Sequence, residues 1–162
     1  MLALEYRKLD GDDGHTVGRE LLRDMVQTYT HAPMPEIAIT QRGKPYFPNS
    51  ILHFSISHTK RHVFCALSDK PIGIDAEELD RNIALRLSDK ILSPEEHIQY
   101  KAAADQRLAL LTFWVLKEAA AKCAGTGLWG YPNHTIFSLA DPRVTQISGC
   151  LVAVIEEEDY AL

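Results

Sequence analysis

Between Pro71 and Glu77 the chain reads Pro-Ile-Gly-Ile-Asp-Ala-Glu, an alternation with period two that suits a strand. Residues two apart on a strand share a face. Asp75 and Glu77 therefore stand side by side, backed by Ile72, Ile74 and Ala76. Two neighbouring carboxylates repel unless positive charge sits between them. A hard divalent cation such as Mg²⁺, which takes oxygen ligands, is one occupant of that gap. A solvated strand edge, where acidic residues discourage further pairing, carries the same pattern with no ion. So short a triplet does not choose between the two readings, and the choice falls to the rest of the chain.

The strand needs a core around it, and the chain can supply one. With 162 residues, 46% hydrophobic and 24% charged, it fits a single domain, or two small halves sharing a core, and not a disordered segment. The net charge of −5 argues against general nucleic-acid binding, which requires an excess of Lys and Arg. Cys65, Cys123 and Cys150 are far apart and form no C-x-x-C pair, as expected of reduced core thiols in a cytoplasmic protein. Glu5, Arg7 and Lys8 come too early for a signal peptide. The longest nearly apolar run, Leu108 to Leu116, is too short to span a bilayer, so a soluble protein is expected.

Upstream of the acidic strand, Leu2 to Tyr6 reads as a short strand, and Val17, Leu21, Leu22, Met25, Val26 and Tyr29 give an amphipathic helix over His15 to Tyr29. Pro33 and Pro35 end that helix. A strand over Glu36 to Thr40 leads into the turn Gln41 to Pro45. Leu52 to His58 alternates with Ser55 and Ser57 on one face, Thr59-Lys60-Arg61 makes a tight connection, and His62 to Ser68 returns. From Ile37 to Ser68 there is no acidic residue, but there are Arg42, Lys44, Lys60, Arg61 and three histidines. In an acidic chain this asymmetry reads as an anion site, with an accidental gap as the alternative.

Downstream, a short helix is expected over Asn82 to Leu92. Ser93-Pro94-Glu95-Glu96 then carries the marks of a helix start, with Ser at the N-cap and Glu at the capping-box position, for a helix reaching about Ala104. A long helix over Asp105 to Ala124 stops at Gly125. Its stripe is Leu108, Leu111, Val115 and Ala119, while Trp114, Glu118 and Lys122 share a second face. A surface ion pair accounts for Glu118 and Lys122 if nothing else does. The small residues Ala119 to Ala121 let this helix lie close to a partner or ligand. Gly125, Gly127 and Gly130 surround Leu128 and Trp129 in a loop, Ile147 to Ile155 is a last strand, and Glu156 to Asp159 is a solvated acidic end.

Four pieces thus stand in order: Gly43-Lys44-Pro45-Tyr46, Phe54-Ser55-Ile56-Ser57-His58, Gly73-Ile74-Asp75-Ala76-Glu77 and Trp114-Val115-Leu116-Lys117-Glu118-Ala119-Ala120-Ala121-Lys122. Together they resemble the 4′-phosphopantetheinyl transferase superfamily, in the single-chain branch typified by the surfactin-type enzymes. The likeness runs from about His15 to Phe137, and the chain is shorter than those members at both ends. The resemblance implies an α+β fold of two similar α/β halves, roughly 1–70 and 71–162 of one domain, related by a pseudo-twofold with the ligand in the cleft between them. It implies Mg²⁺-dependent transfer of the phosphopantetheine arm of coenzyme A to a serine of an acyl or peptidyl carrier protein, with release of 3′,5′-ADP. Such carriers serve fatty acid, polyketide and nonribosomal peptide synthesis. Asp75, Glu77 and Glu118 match metal ligands, Lys44, Ser57 and His58 match coenzyme A contacts, and Lys117 and Lys122 match the motif's two lysines, the latter near the pyrophosphate. Glu96 matches a residue near the metal site.

The chemistry agrees with that implication. A divalent ion orients a pyrophosphate and neutralises charge developing on its leaving group. A lysine such as Lys122 can steady or protonate the departing phosphate, and Glu118, directly or through a metal-bound water, is the candidate base for the carrier serine. Other readings are a shortened relative that grips coenzyme A or carrier protein without turnover, and a hydrolase built on Ser57 and His58. Adjacent strand residues point to opposite faces, and no G-x-S-x-G elbow is present, which disfavours the hydrolase. A zinc site from His58 and His62 calls for one helical face, and this segment reads as a hairpin. For a carrier protein with an acidic helix, Lys60 and Arg61, with help from Arg81 and Arg86, are the expected docking cations.

Overall fold

The computed structural model of the chain describes residues 2–130 and 135–157. In chain order it begins with β1 (Leu2–Lys8), α1 (Gly14–Thr30), β2 (Ala38–Ile39), β3 (Pro45–Tyr46), β4 (His53–His58) and β5 (His62–Ser68). There follow β6 (Ile72–Glu78), a 3₁₀ turn (Leu85–Leu87), α2 (Ser88–Ile91), α3 (Pro94–Ala102), α4 (Gln106–Ala124), a second 3₁₀ turn (Leu128–Gly130), β7 (Val144–Ile147) and β8 (Cys150–Glu156). The strands form two three-stranded antiparallel sheets, in the orders β1-β5-β4 and β6-β8-β7, and a small β2–β3 hairpin. Among the described residues no helix is long and apolar enough to cross a membrane.

Helix α1 starts where the Asp13 carboxylate accepts the Thr16 amide at 2.8 Å and ends on left-handed His31. Its stripe of Leu21, Leu22, Met25 and Val26 packs with Val63, Cys65 and Leu67 of β5. The other face of β5 is also covered. Phe64 and Ala66 meet Ile72, Ile74 and Ala76 of β6, and Cys150 and Val152 of β8. Every residue of β5 is therefore buried, which explains an apolar run with little alternation. All three cysteines are buried and none is in a disulfide, as their apolar settings in the sequence imply.

Strand β6 is closed on both faces. Its even positions face the first sheet, and its odd positions face α4, which packs through Leu110, Leu111, Phe113, Leu116 and Ala119 into the core completed by Leu151, Ala153 and Ile155. Gly73 is where α4 comes nearest: a Cβ built there would lie 1.9 Å from the Ala119 carbonyl oxygen and 2.4 Å from the Cys123 amide nitrogen. Between the sheets, edge strands β4 and β6 adjoin without a backbone ladder. The Ser55 and Ser57 hydroxyls accept the Ile74 and Ala76 amides, each at 3.1 Å. The buried edge of β6 is thus satisfied by side chains.

Several boundaries differ from the sequence reading. The helix expected over Asn82 to Leu92 is a 3₁₀ turn and one turn of α2, because Ala84 is extended (ψ 114°) and breaks the run. Helix α3 stops at Ala102, since Ala103 is extended. The strand expected over Glu36 to Thr40 keeps only Ala38–Ile39, paired with Pro45–Tyr46 around left-handed Gly43. The strand expected over Ile147 to Ile155 starts only at Cys150, because Ser148 and Gly149 both take positive φ and close a tight hairpin with β7, most of which lies before the expected start. Glu156 accepts the Ser68 hydroxyl and is not merely solvated, and Asp159 lies outside the described residues.

The fit at Gly73 generates a stability prediction. Gly73→Ala drives a methyl into the backbone of α4, which cannot give way as a flexible side chain can, so the loss should exceed about 3 kcal/mol, at the upper end of overpacking costs. A urea unfolding midpoint within error of wild type would contradict the approach of α4 to β6.

Candidate functional site

The odd face of β6 and the facing turns of α4 form the site. Asp75 is buried, and its Oδ1 accepts Lys122 Nζ at 2.7 Å and Ser57 Oγ at 3.2 Å. Lys122 also donates to the Ile74 carbonyl at 3.0 Å, so one ammonium ties the last turn of α4 to β6. The second carboxylate oxygen, Oδ2, is buried with no hydrogen-bond partner among the described residues. Buried polar atoms are rarely left so, and such an atom marks either strain or room for a ligand.

Glu77 lies two residues on and half-buried. Its Oε1 accepts the Trp114 indole N–H at 3.2 Å and pairs with Arg81, whose guanidinium lies over the Trp114 ring 5.1 Å from its centroid. Arg107 donates to the Leu79 and Arg81 carbonyls at 2.7 and 3.1 Å and holds that turn in place. Glu118, half-buried on α4, reaches the same region. Burial raises the Asp75 carboxyl above its ordinary range, with Lys122 acting against the rise. Burial first, and then the Asp75 charge, raise both Glu77 and Glu118. Three acidic groups thus crowd one place with less counter-charge than they need. Their ligand oxygens do not all lie within 4.8 Å of one another. Among the described residues, the group whose ligand atoms all lie within 4.8 Å of one another is elsewhere, at His62, Glu78 and Cys150. An oxygen-ligand set with one orphaned buried atom fits a hard divalent cation.

Beside these carboxylates a cleft of about 260 Å³ is lined by Arg42, Lys44, Phe54, Ser55, Glu118 and Lys122, among others. Lys44 crosses it and donates to the Cys123 carbonyl at 2.8 Å, capping the end of α4 from the β2–β3 hairpin. Burial lowers the Lys44 ammonium below its usual range. Arg42 is exposed at the rim. His58, at the exposed end of β4, lies outside the cleft lining with its ring against the start of α1, where a Cβ on Gly14 would come within 2.9 Å of it.

The structure therefore brings Asp75, Ser57 and Lys122 into contact, sets Glu77 and Glu118 beside them, and lines the neighbouring cleft with Lys44, Glu118 and Lys122. It does not bring Lys117 or Glu96 there. Both are buried, and they pair with each other at 2.9 Å. Glu96 completes the capping box of α3 with Ser93 and accepts the Phe137 amide at 3.0 Å. Lys117 lies over the Phe137 ring at 5.8 Å. Arg61 is exposed, as expected of a docking cation, but its charge is engaged by Glu78 and Asp80, each at 2.9 Å. Three contributors were not foreseen: Arg81 as the partner of Glu77, Trp114 as its hydrogen-bond donor, and Ser55 as a link to β6. The spacing from Glu77 to Arg81 was visible in the sequence, but it spans a strand end, where spacing carries no geometric rule.

A family model described as the 4′-phosphopantetheinyl transferase superfamily matches residues 71–159, more than half of the chain. A 4′-phosphopantetheinyl transferase of Bacillus subtilis is 37% identical over 93 residues, covering 56% of this chain and 41% of that protein. The 4′-phosphopantetheinyl transferase gsp of Aneurinibacillus migulanus is 31% identical over 117 residues, covering 70% of this chain and 48% of the relative. AcpT of Escherichia coli K12, also named a 4′-phosphopantetheinyl transferase, is 34% identical over 117 residues, covering 69% and 57%. The chain spans about half the length of the curated relatives it matches.

The buried Lys117–Glu96 pair makes a prediction of its own. Lys117→Ala strands the Glu96 charge inside the fold and should cost about 3–5 kcal/mol, as removing one partner of a buried pair does. The double change Lys117→Met with Glu96→Gln should cost much less, read as the two urea midpoints. A Lys117→Ala protein as stable as wild type would show that the pair is not what holds α3 to α4.

Proposed function

The chain belongs to the 4′-phosphopantetheinyl transferase superfamily, and on that premise we propose that it moves the phosphopantetheine arm of coenzyme A onto a serine of an acyl or peptidyl carrier protein. In that step the serine oxygen attacks the phosphorus bearing the pantetheine arm. A new P–O bond forms, the pyrophosphate P–O bond breaks, and 3′,5′-ADP leaves. The observation that carries the reading is Asp75: one oxygen is fixed by Lys122 and Ser57, the other is buried with no partner among the described residues, and Glu77 and Glu118 stand nearby.

Asp75, Glu77 and Glu118 are the residues that would hold Mg²⁺, which when bound draws the pyrophosphate into line and offsets charge on the leaving group. The chain's own groups do the rest. Glu118, raised by burial, is suited to take the serine proton. Lys122 Nζ, already at Asp75, steadies the departing phosphate. Lys44 and Arg42 give the cleft positive charge for the nucleotide, and a loaded cleft would draw Lys44 away from the Cys123 carbonyl. His58 extends the anion surface at the end of β4. On this reading the two sheets with their helices, roughly 1–70 and 71–162, are the two halves of one transferase domain related by a pseudo-twofold. Three buried cysteines that form no disulfide suit the reducing cytoplasm.

Turnover is tested by incubating the chain with Mg²⁺, coenzyme A and an apo carrier protein, and weighing the carrier for the added phosphopantetheine. Wild type should convert it, while Asp75→Ala and Glu118→Gln should fall to background with folding intact by circular dichroism. If several unrelated apo carriers stay unmodified while coenzyme A still binds, the chain is a binding module and the transfer is not its reaction.

Docking makes a separate prediction. Lys60 is exposed in the β4–β5 turn, and no ion pair to it is found among the described residues, whereas Arg61 is tied to Glu78 and Asp80. Lys60→Glu should therefore raise KM for an acidic carrier with little change for coenzyme A. The effect should shrink with salt, since exposed charges are screened over about 10 Å at 0.1 M. A change confined to coenzyme A would move Lys60 into the nucleotide site.

A further inference from the structure

Glu78 ends β6 and, unlike Asp75 and Glu77, faces the first sheet. It stands opposite Cys150 across the β6–β8 ladder and beside His62, the first residue of β5. All three are buried. His62 Nδ1 lies 3.3 Å from Glu78 Oε1 and 3.5 Å from Cys150 Sγ, and the three ligand atoms all fall within 4.8 Å of one another. We propose that His62, Glu78 and Cys150 bind a borderline-soft divalent cation of the zinc type, at a site separate from the transferase cleft, with water as the fourth ligand.

The distances match the edges of a zinc tetrahedron. Zinc holds imidazole nitrogen at about 2.0–2.1 Å, carboxylate oxygen at about 2.0–2.2 Å and thiolate sulfur at about 2.3 Å in a tetrahedron. Those radii set edges of about 3.3–3.5 Å between nitrogen and oxygen and about 3.5–3.6 Å between nitrogen and sulfur. The two observed separations fall on these edges. Good N–H···O bonds run about 2.7–3.2 Å, so the His62–Glu78 contact is long for one.

The surroundings support the same occupant. A metal-bound imidazole is normally fixed through its other nitrogen. Here Ser148 Oγ sits 3.2 Å from His62 Nε2, presented by the left-handed turn between β7 and β8. Glu78 is oriented by Thr59 Oγ1 at 2.5 Å and Arg61 at 2.9 Å. One carboxylate and one thiolate balance a doubly charged ion, and the Arg61 guanidinium on Glu78 is itself balanced by Asp80, which limits the cost of burying charge. Burial, and then Glu78, push the Cys150 thiol up to about 12; its proton leaves when the cation arrives, and binding releases it to solvent. A surface cavity lined by Lys8, Leu9, Asp10, Ser148 and Gly149 opens onto His62 and Glu78, giving an entry path and room for the water. The ligands come from both sheets, so the ion pins the end of their interface.

The test titrates Co²⁺ into the full chain, stripped of metal by a chelator and held in excess Mg²⁺. The expected result is one equivalent bound, with the visible bands of four-coordinate cobalt and a near-ultraviolet thiolate-to-cobalt band, both removed by Zn²⁺. Cys150→Ala should lose the thiolate band, while Cys65→Ala and Cys123→Ala keep it. Ser148→Gly, which suits the left-handed backbone, should weaken binding about ten-fold, the lower end of the cost of losing an outer-shell partner. Asp75→Asn should leave the cobalt spectrum in place, separating this site from the cleft. No thiolate band in the wild-type protein at saturating Co²⁺ would overturn the proposal without recourse to any variant, leaving a hydrogen-bonded thiol cluster only. A band that persists in Cys150→Ala would overturn it equally.

Discussion

The approach of α4 to β6 at Gly73 sets the distances on which the cleft depends. Without a side chain at 73, the backbone of the helix at Ala119 and Cys123 rests on the strand. That separation lets Lys122 reach both the Ile74 carbonyl and Asp75. A helix held further out would leave Asp75 without its cation and remove Glu118 from the acidic group. Packing is here the cause of the electrostatics: apolar burial along α4 supplies the energy that holds charged groups together against their repulsion.

The strand then divides its work by parity. Odd residues of β6 carry the carboxylates that face α4, while even residues build the core against β5, until Glu78 puts a third carboxylate on the opposite face. The two sides are charged differently. Glu78 has Arg61, Thr59 and His62 around it, and although burial works the other way, their hydrogen bonds hold it down at about 2. Asp75, Glu77 and Glu118 are all raised by burial. A fold selected for stability alone would not keep an orphaned carboxylate oxygen there. Perturbed groups of this sort gather where a ligand completes them. Arg81 and Trp114 hold Glu77 meanwhile, so the carboxylate is positioned but not free.

What was legible in the sequence follows from how local each signal is. Helices α1 and α4 and strand β6 declare themselves by period, and the Ser93–Glu96 capping box by its spacing. The acidic face of β6 and the Glu118–Lys122 face of α4 follow from those periods. Pairing between distant residues does not. Glu96 and Lys117 look like functional charges in the chain, and only the fold shows them buried against each other. Ser57 reads as a polar face, yet its hydroxyl takes the Ala76 amide and touches Asp75, because β4 and β6 meet without a ladder. Arg61 reads as a free cation until β6 brings Glu78 and Asp80 beside it. The β7–β8 turn was signalled by Ser148-Gly149, but the strand expected from Ile147 to Ile155 runs through it and leaves Val144, Thr145 and Gln146 of β7 out.

The most direct measurement of the central claim is the response of assigned amide resonances to Mn²⁺, added with coenzyme A. Paramagnetic broadening reports where the ion sits without requiring turnover. Broadening centred on Asp75, Glu77 and the Glu118–Lys122 turn of α4, lost in Asp75→Asn, is the result this account predicts. Broadening that leaves those residues sharp while coenzyme A is bound would contradict it.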